Sequence, residues 1–515
     1  MKKFTAYLKK IFTERVRQQI GRIFTIVCVI CAAVMSLYML AMRFVHLENG
    51  LTYDELYSAV TAAPYLSFGY VWKQMLMQDV NLPLFNVLLF GWNRLFPFTS
   101  YWMHFFCSLT GALAVVLAWV LAPAYWTKLK KAIFVSLAAC SFILVAYGSV
   151  VRTYSLAVLL AIVFSLLALR IIYQFEQGQN PSRGCWIGFL VAGLLGAYSH
   201  YFCAGLFFIT ALVVFLYGCY YKVGRAWSFW GTAVVFVLWS PWLIHTVLIM
   251  SAPAGTWWFH TPFAKATFDI FIFLFGPRKL FTAILYGSVL AGVSLISTHK
   301  KELLKRADIV LPVAQMLLLL GVVALVSVKF NLWLDRYFLP MMVSLLLLFA
   351  EFLEHLRKRH LALLILWPVF LASWIQFFWT LDYLSWPEYT GLRDLFTRVT
   401  QTEKVDKLLV DMEKTGYPPA ALPHMFAFYL PKDSQLEMIP LTPETVSLSW
   451  ETDPKTFILL PLCSHVHLLD ASVRTRSEEE TLFVFGSDTC LYTARPVRGR
   501  GGLRDQKNLF SLQRL

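Results

Sequence analysis

Over the first 381 residues, apolar residues run in blocks of about twenty, separated by short polar or basic turns. That is the length a helix needs to cross the hydrocarbon core of a bilayer. Candidate spans fall near 23–45, 102–125, 132–150, 154–173, 186–200, 202–221, 228–250, 267–297, 308–327, 338–353 and 361–381. The pattern therefore predicts a mostly α-helical, polytopic membrane protein with about eleven transmembrane helices. Residues 46–101 break the rhythm. There Tyr65–Gln78 and Leu84–Phe96 are amphipathic but too short or too interrupted to cross, and they are expected to lie in the interface within a long first outer loop. After Asp382 the blocks give way to strand-like alternation at Thr456–Leu462 and Thr481–Phe485, a helix-like stretch at Leu392–Lys414, and Pro418, Pro419 and Pro431. Residues 382–515 are expected to form a small α/β extracytoplasmic domain. Its end, after Arg498, is rich in Arg and Gly and is expected to be disordered.

Charge orients this scheme. The chain is 58% hydrophobic and 15% charged, with a formal net charge of +15. About thirty Lys and Arg against about twelve acids precede Asp382, whereas the tail is near neutral. With a cytoplasmic, basic amino terminus over 1–22, the inward loops would hold Lys128, Lys130 and Lys131, then Arg183, Lys222 and Arg225, Lys300, Lys301, Lys305 and Arg306, and Arg357, Lys358 and Arg359. This is the positive-inside distribution, which accounts for the net charge without a nucleic-acid partner. Arg278 and Lys279 interrupt the 267–297 block and make it the least regular span. Of nine cysteines only Cys463 and Cys490 lie in the polar tail, where a disulfide is open, and no Cys/His cluster has metal-ligand spacing.

The same parity places several polar residues on the outer face. Asp54 and Glu55 are adjacent acids in a loop otherwise poor in carboxylates, suited to a general base and equally to a helix N-terminus. Arg152, Tyr154 and Arg336 sit where apolar blocks begin. An arginine there needs a partner, and a phosphate or an acidic side chain would serve. Asp335 beside Arg336 favours an ion pair. His200 and Tyr201 occupy a corner with no room for a loop, and Trp257, Trp258 and His260 form an aromatic patch suited to a sugar face, a polyprenyl chain or an interfacial girdle.

Taken in order, these stretches resemble the C-type (GT-C) membrane glycosyltransferases of the protein O-mannosyltransferase and lipid A aminoarabinose transferase clan, family 39-like, including its bacterial mannosyltransferase-like branch. The match covers roughly Leu51 to Pro340. It consists of Tyr53-Asp54-Glu55, then Asp79 with Pro83-Leu84-Phe85, Arg152-Thr153-Tyr154, Ser199-His200-Tyr201-Phe202, and Arg336-Tyr337-Phe338 with Pro340. The family's His-Pro is replaced by Asn81-Leu82. The resemblance implies a GT-C catalytic domain over 23–381 that transfers a sugar, with inversion, from a polyprenyl-phosphate donor to an acceptor lipid, cell-surface polymer or protein at the cell envelope. Asp54 would be the base. Glu55 would orient the acceptor or hold a divalent cation, if one is used. Arg152, Tyr154, Arg336 and His200 would hold the donor phosphate, and Asp79, Asn81, Tyr201, Trp257, Trp258 and His260 would contact substrate. The metal and the acceptor stay open.

Two other classes share the outline. A polysaccharide ligase or polymerase also needs outer arginines but not an acidic pair in the first loop. A transporter or flippase would be expected to break its helices, or charge them, near mid-membrane.

Overall fold

The computed structural model describes residues 2–45, 47–251, 306–327, 332–359 and 366–380, with residues 270, 273, 274 and 276 and short pieces between 407 and 514. The helices are α1 (Lys2–Met42), α2 (Tyr53–Thr61), α3 (Phe68–Gln74), α4 (Leu84–Leu95), α5 (Ser100–Leu121), α6 (Lys128–Cys140), α7 (Phe142–Ala146), α8 (Tyr154–Glu176), α9 (Arg183–Ser199), α10 (Tyr201–Tyr221), α11 (Arg225–Ser251), α12 (Ala307–Val326), α13 (Met342–Arg359) and α14 (Leu366–Thr380). Seven helical segments among the described residues are long and apolar enough to cross a membrane. With them the chain is a mostly helical membrane protein.

The other expected spans depart for identifiable reasons. α9 and α14 have 17 and 15 residues, and the 267–297 block lies mostly outside the described residues. The 132–150 block is not one helix. Ser141, with ψ at 112°, separates α6 from α7. The break frees carbonyls that apolar surroundings cannot satisfy. Arg43, just past α1, supplies the missing donors, its Nη1 donating to the Leu144 carbonyl at 2.6 Å and its Nη2 to that of Ala138 at 3.4 Å. Arg43 is buried at 3% exposure, and Gly148 leaves it space, since a Cβ there would lie 2.5 Å from Nη1.

The core is organised around α8, which is almost wholly buried and packs against α5, α9 and α10. Gly193 on α9 lets the Phe207 ring approach to where its own Cβ would be. Half-way through the bundle, the side chain of Gln315 on α12 donates to Ser165 on α8 at 3.0 Å and to Thr210 on α10 at 2.7 Å, and accepts from Ser344 on α13 at 2.9 Å. One buried amide thus ties four helices in a region without competing water.

At the end of the bundle marked by Glu176, Lys130 on α6 is a buried ion-pair partner and not a solvated loop cation. Its Nζ lies 2.6 Å from Glu351 and 3.0 Å from Asp308, over the Trp126 ring. Arg306 also pairs with Glu351, Thr127 donates to Glu354, and Tyr125 and Trp126 both donate to Asp308. The cluster joins α6, α12 and α13.

The first long loop holds the short helices expected of it, α3 with the 3-10 turn Leu76–Gln78, and α4. It also holds α2, which puts Asp54 and Glu55 at a helix N-terminus, one of the two settings their sequence position allows. Six strands in the tail form one sheet in the order β2-β1-β3-β4-β5-β6. They are β1 (Lys407–Val410), β2 (Glu437–Pro440), β3 (Thr456–Leu459), β4 (Leu482–Phe485), β5 (Leu491–Pro496) and β6 (Phe510–Arg514). β1 falls inside the stretch with a helix-like pattern, and β6 inside the stretch expected to be disordered, where it pairs antiparallel with β5. Phe510, Leu512 and the polar residues between them alternate with period two, which a reading of overall composition overlooks. Cys463 and Cys490 lie outside the described residues. Phe428 stacks edge-on against Phe98 at 5.3 Å, His424 lies 5.8 Å from Tyr65, and Ala421 and Met425 are fully buried. This part of the tail packs on the first-loop helices.

Candidate active site

Asp54 and Glu55 occupy the first turn of α2, where carboxylates favour the positive helix end. Their environments are opposite. Glu55 is 0% exposed. Its Oε2 accepts the backbone N–H and the hydroxyl of Thr52 at 2.9 and 2.8 Å, and its Oε1 accepts the backbone N–H of Val151 at 2.7 Å. His104 lies 3.9 Å from Oε1, but its Nδ1 bonds the Ser149 carbonyl at 2.8 Å and therefore carries a proton. The Glu55 carboxylate is thus enclosed by donors. The Asp54 side chain is 31% exposed and turns toward Arg336, whose Nη2 lies 3.1 Å from Oδ2.

Arg152 reaches the same point from the other side, donating from Nη1 to the Asp54 carbonyl at 3.2 Å. It stands immediately before α8, whose start is pinned to the end of α9 by the Thr153 hydroxyl on the Ser199 carbonyl at 2.8 Å. Arg336 enters from the 3-10 turn Asp335–Met341, where Asp335 Oδ1 accepts the Arg336 backbone N–H. The expected Asp335–Arg336 ion pair is therefore not the contact seen, and the guanidinium goes to Asp54 instead. Arg336 Nε is out of solvent contact and has no hydrogen-bond partner among the described residues. Tyr147, Tyr154 and Tyr337 lie within electrostatic range of Arg336.

His200 caps α10. Its Nδ1 accepts the Phe202 backbone N–H at 3.2 Å, which places the ring proton on Nε2. Its ring sits 6.2 Å from Tyr154 and 5.7 Å from Tyr337, with the Arg152 guanidinium within electrostatic range. The site is thus a cluster of one partly exposed carboxylate, two guanidinium groups, a neutral imidazole and three phenols.

Asp79, Asn81 and Tyr201 form an adjoining unit. The Asn81 amide donates to both Asp79 oxygens at 2.9 Å, and the Tyr201 hydroxyl donates to the Val80 carbonyl at 2.6 Å while meeting Thr246 at the same distance. Asp79 and Asn81 thereby shape the loop, and Tyr201, next to His200, links that loop to the first cluster. Trp257, Trp258 and His260 lie outside the described residues. Among the described residues no group of three or more His, Cys, Asp or Glu could hold a metal ion.

Tyr147, His104 and Arg43 do not stand out in the sequence as site residues, and Tyr337 appears there only as the neighbour of Arg336 in its motif. Two of them do carry a signal: His104 and Arg43 are ionisable residues within or at the edge of an apolar block, a placement that is costly without a partner.

The fold aligns with that of two crystal structures of ArnT from Cupriavidus metallidurans. For the apo state the TM-score is 0.53 at 13% identity, over 88% of this chain and 92% of that one. For ArnT bound to undecaprenyl phosphate it is 0.50 at 13% identity, over the same shares. The chain has an ArnT-like fold. No known sequence family and no curated protein sequence matches it.

Proposed function

We propose that this protein is a polyprenyl-phosphate-sugar-dependent glycosyltransferase of the GT-C type, family 39-like, built on about eleven spans. Its site opens to the extracytoplasmic face, with the amino terminus in the cytoplasm and residues 382–515 outside. The observation that carries the reading is the convergence of Arg152 and Arg336 on the half-exposed Asp54 at one end of an ArnT-like bundle. ArnT itself has been captured with undecaprenyl phosphate, a ligand of the class the two arginines suit. The packing of Phe428 and His424 on the first-loop helices supports a tail on the same face as the site.

In this reading Arg152 and Arg336 bind the donor phosphate, and the unpartnered Nε–H of Arg336 completes its contacts with a phosphate oxygen. The acceptor O–H or N–H attacks the anomeric carbon as the bond from that carbon to the phosphate oxygen breaks. The proton passes to Asp54, the configuration inverts, and polyprenyl phosphate leaves as an anion stabilised by the two guanidinium groups. Donor binding also draws Arg336 away from Asp54, which raises the basicity of the carboxylate when it is needed. Neutral His200 and Tyr154 donate to the phosphate or the sugar. Glu55 is a positioning residue that holds α2 against Val151. Asp79, Asn81 and Tyr201 shape the acceptor side, with Trp257, Trp258 and His260 as further sugar or lipid contacts.

Binding of polyprenyl phosphate to purified wild-type and Arg152→Lys protein tests the reading. A point charge without the planar fork should weaken binding by about tenfold or more. Unchanged affinity would reduce Arg152 to a structural tie on the Asp54 carbonyl.

A further inference from the structure

At the far end of α9 from His200 lies a second feature that the sugar-transfer reading does not use. Residues before α9, the last turns of α10 and the first turn of α11 enclose a groove of about 910 Å3. Three cations, Arg183, Lys222 and Arg225, line it, together with Trp186, Trp227 and Trp230, and no lining residue is acidic. None of the three cations forms an ion pair among the described residues.

Two helices begin here, α9 at Arg183 and α11 at Arg225. Each brings the positive end of its dipole to the groove, which adds to the charge of the side chains, although at α9 the Ser182 hydroxyl already accepts the Cys185 N–H. Lys222 caps α10 with φ at 58°, the only positive φ outside glycine among the described residues. Glycine would take that conformation without strain, whereas a Cβ there crowds the following carbonyl oxygen. The strain is borne where it delivers an ammonium group to the groove.

The start of α11 adds an apolar, exposed surface beside the cations. Trp227 is 51% and Trp230 66% exposed, and indoles at such positions sit at headgroup depth. α10 starts beside His200 and ends at Lys222, and this apolar helix of 21 residues spans about 31 Å at the helical rise, so its two ends reach opposite boundaries of the hydrocarbon core.

We propose that this groove binds the phosphate headgroup of an anionic diacyl phospholipid in the leaflet opposite the Asp54 site. Three uncompensated cations and two helix N-termini select a net negative headgroup over a zwitterionic one. The exposed tryptophan wall selects a membrane lipid over a soluble phosphate. The inference stands independently of the sugar-transfer reading.

The full-length protein, delipidated in detergent, is titrated with phosphatidylglycerol, phosphatidylcholine and inorganic phosphate, and retained lipid is counted by native mass spectrometry. Phosphatidylglycerol should bind, and neither of the others should displace it. Each cation removed should weaken it about fivefold, so Arg183→Gln with Lys222→Gln and Arg225→Gln together should cost about a hundredfold. Lys222→Gly guards against a variant that merely misfolds: it should raise the thermal midpoint in detergent by relieving strain, yet bind phosphatidylglycerol about fivefold more weakly. Equal binding of phosphatidylcholine, displacement by inorganic phosphate, or unchanged phosphatidylglycerol affinity in Lys222→Gly would each overturn the proposal.

Discussion

Val151 donates its backbone N–H to Oε1 of Glu55 at 2.7 Å, although the two residues are 96 positions apart in the chain. Each partner precedes or follows a residue of the candidate site: Asp54 comes just before Glu55, and Arg152 just after Val151. One buried hydrogen bond therefore sets the distance between the proposed base and one of the proposed phosphate ligands.

Glu55→Gln should accordingly be more damaging than its shape suggests. Val151 and Thr52 present backbone donors to the two carboxylate oxygens, so the amide nitrogen of glutamine must face one of them. A buried donor left without an acceptor costs about 1–3 kcal/mol. The expected result is a lower thermal midpoint together with weaker polyprenyl phosphate binding, measured on the same preparation. Wild-type values for both would show that Glu55 does not hold the site together.

The sequence makes Glu55 conspicuous and leaves its role ambiguous, because adjacent acids on a loop cannot be ranked before their surroundings are known. The surroundings come from elsewhere: Thr52 is local, but Val151 arrives from the far side of the α5–α7 segment. The helical blocks are legible because lipid demands about twenty apolar residues per crossing. The break at Ser141 is not, since it depends on Arg43 supplying donors from another helix. The basic residues near 130 look like loop charges, and only tertiary packing reveals that Lys130 is paired with Asp308 and Glu351.

Lys130→Met tests that packing. Removing the cation leaves two carboxylates close together at the α6, α12 and α13 junction, an uncompensated charge that should cost about 3–5 kcal/mol. Thermal unfolding in detergent should show a large loss, partly recovered in Lys130→Met with Glu351→Leu, where the Arg306 side chain is half-exposed and can turn to solvent. No recovery in the double variant would mean that Lys130 acts by packing alone.

Gly148→Ala should destabilise the protein and disturb the site at a distance. The new Cβ would stand 2.5 Å from Arg43 Nη1 and 2.6 Å from the Leu144 carbonyl oxygen, and a backbone atom cannot swing away as a side chain can. Overpacking of this kind costs about 1–3 kcal/mol. Because Gly148 leads directly into Val151 and Arg152, polyprenyl phosphate affinity should fall along with the thermal midpoint. A fall in the midpoint with unchanged affinity would separate the Arg43 region from the site.

Asp54 is the proton acceptor on which the proposed chemistry depends, and single-turnover sugar transfer by Asp54→Asn, measured alongside donor binding, tests that role most directly. Asparagine keeps the shape but takes no proton at neutral pH, so transfer should slow by about two to four orders of magnitude. Donor binding should persist, since the backbone carbonyl of residue 54 that accepts from Arg152 is kept by asparagine, and Arg336 loses a charged competitor for phosphate. Wild-type transfer by Asp54→Asn, or loss of donor binding in place of loss of transfer, would contradict it.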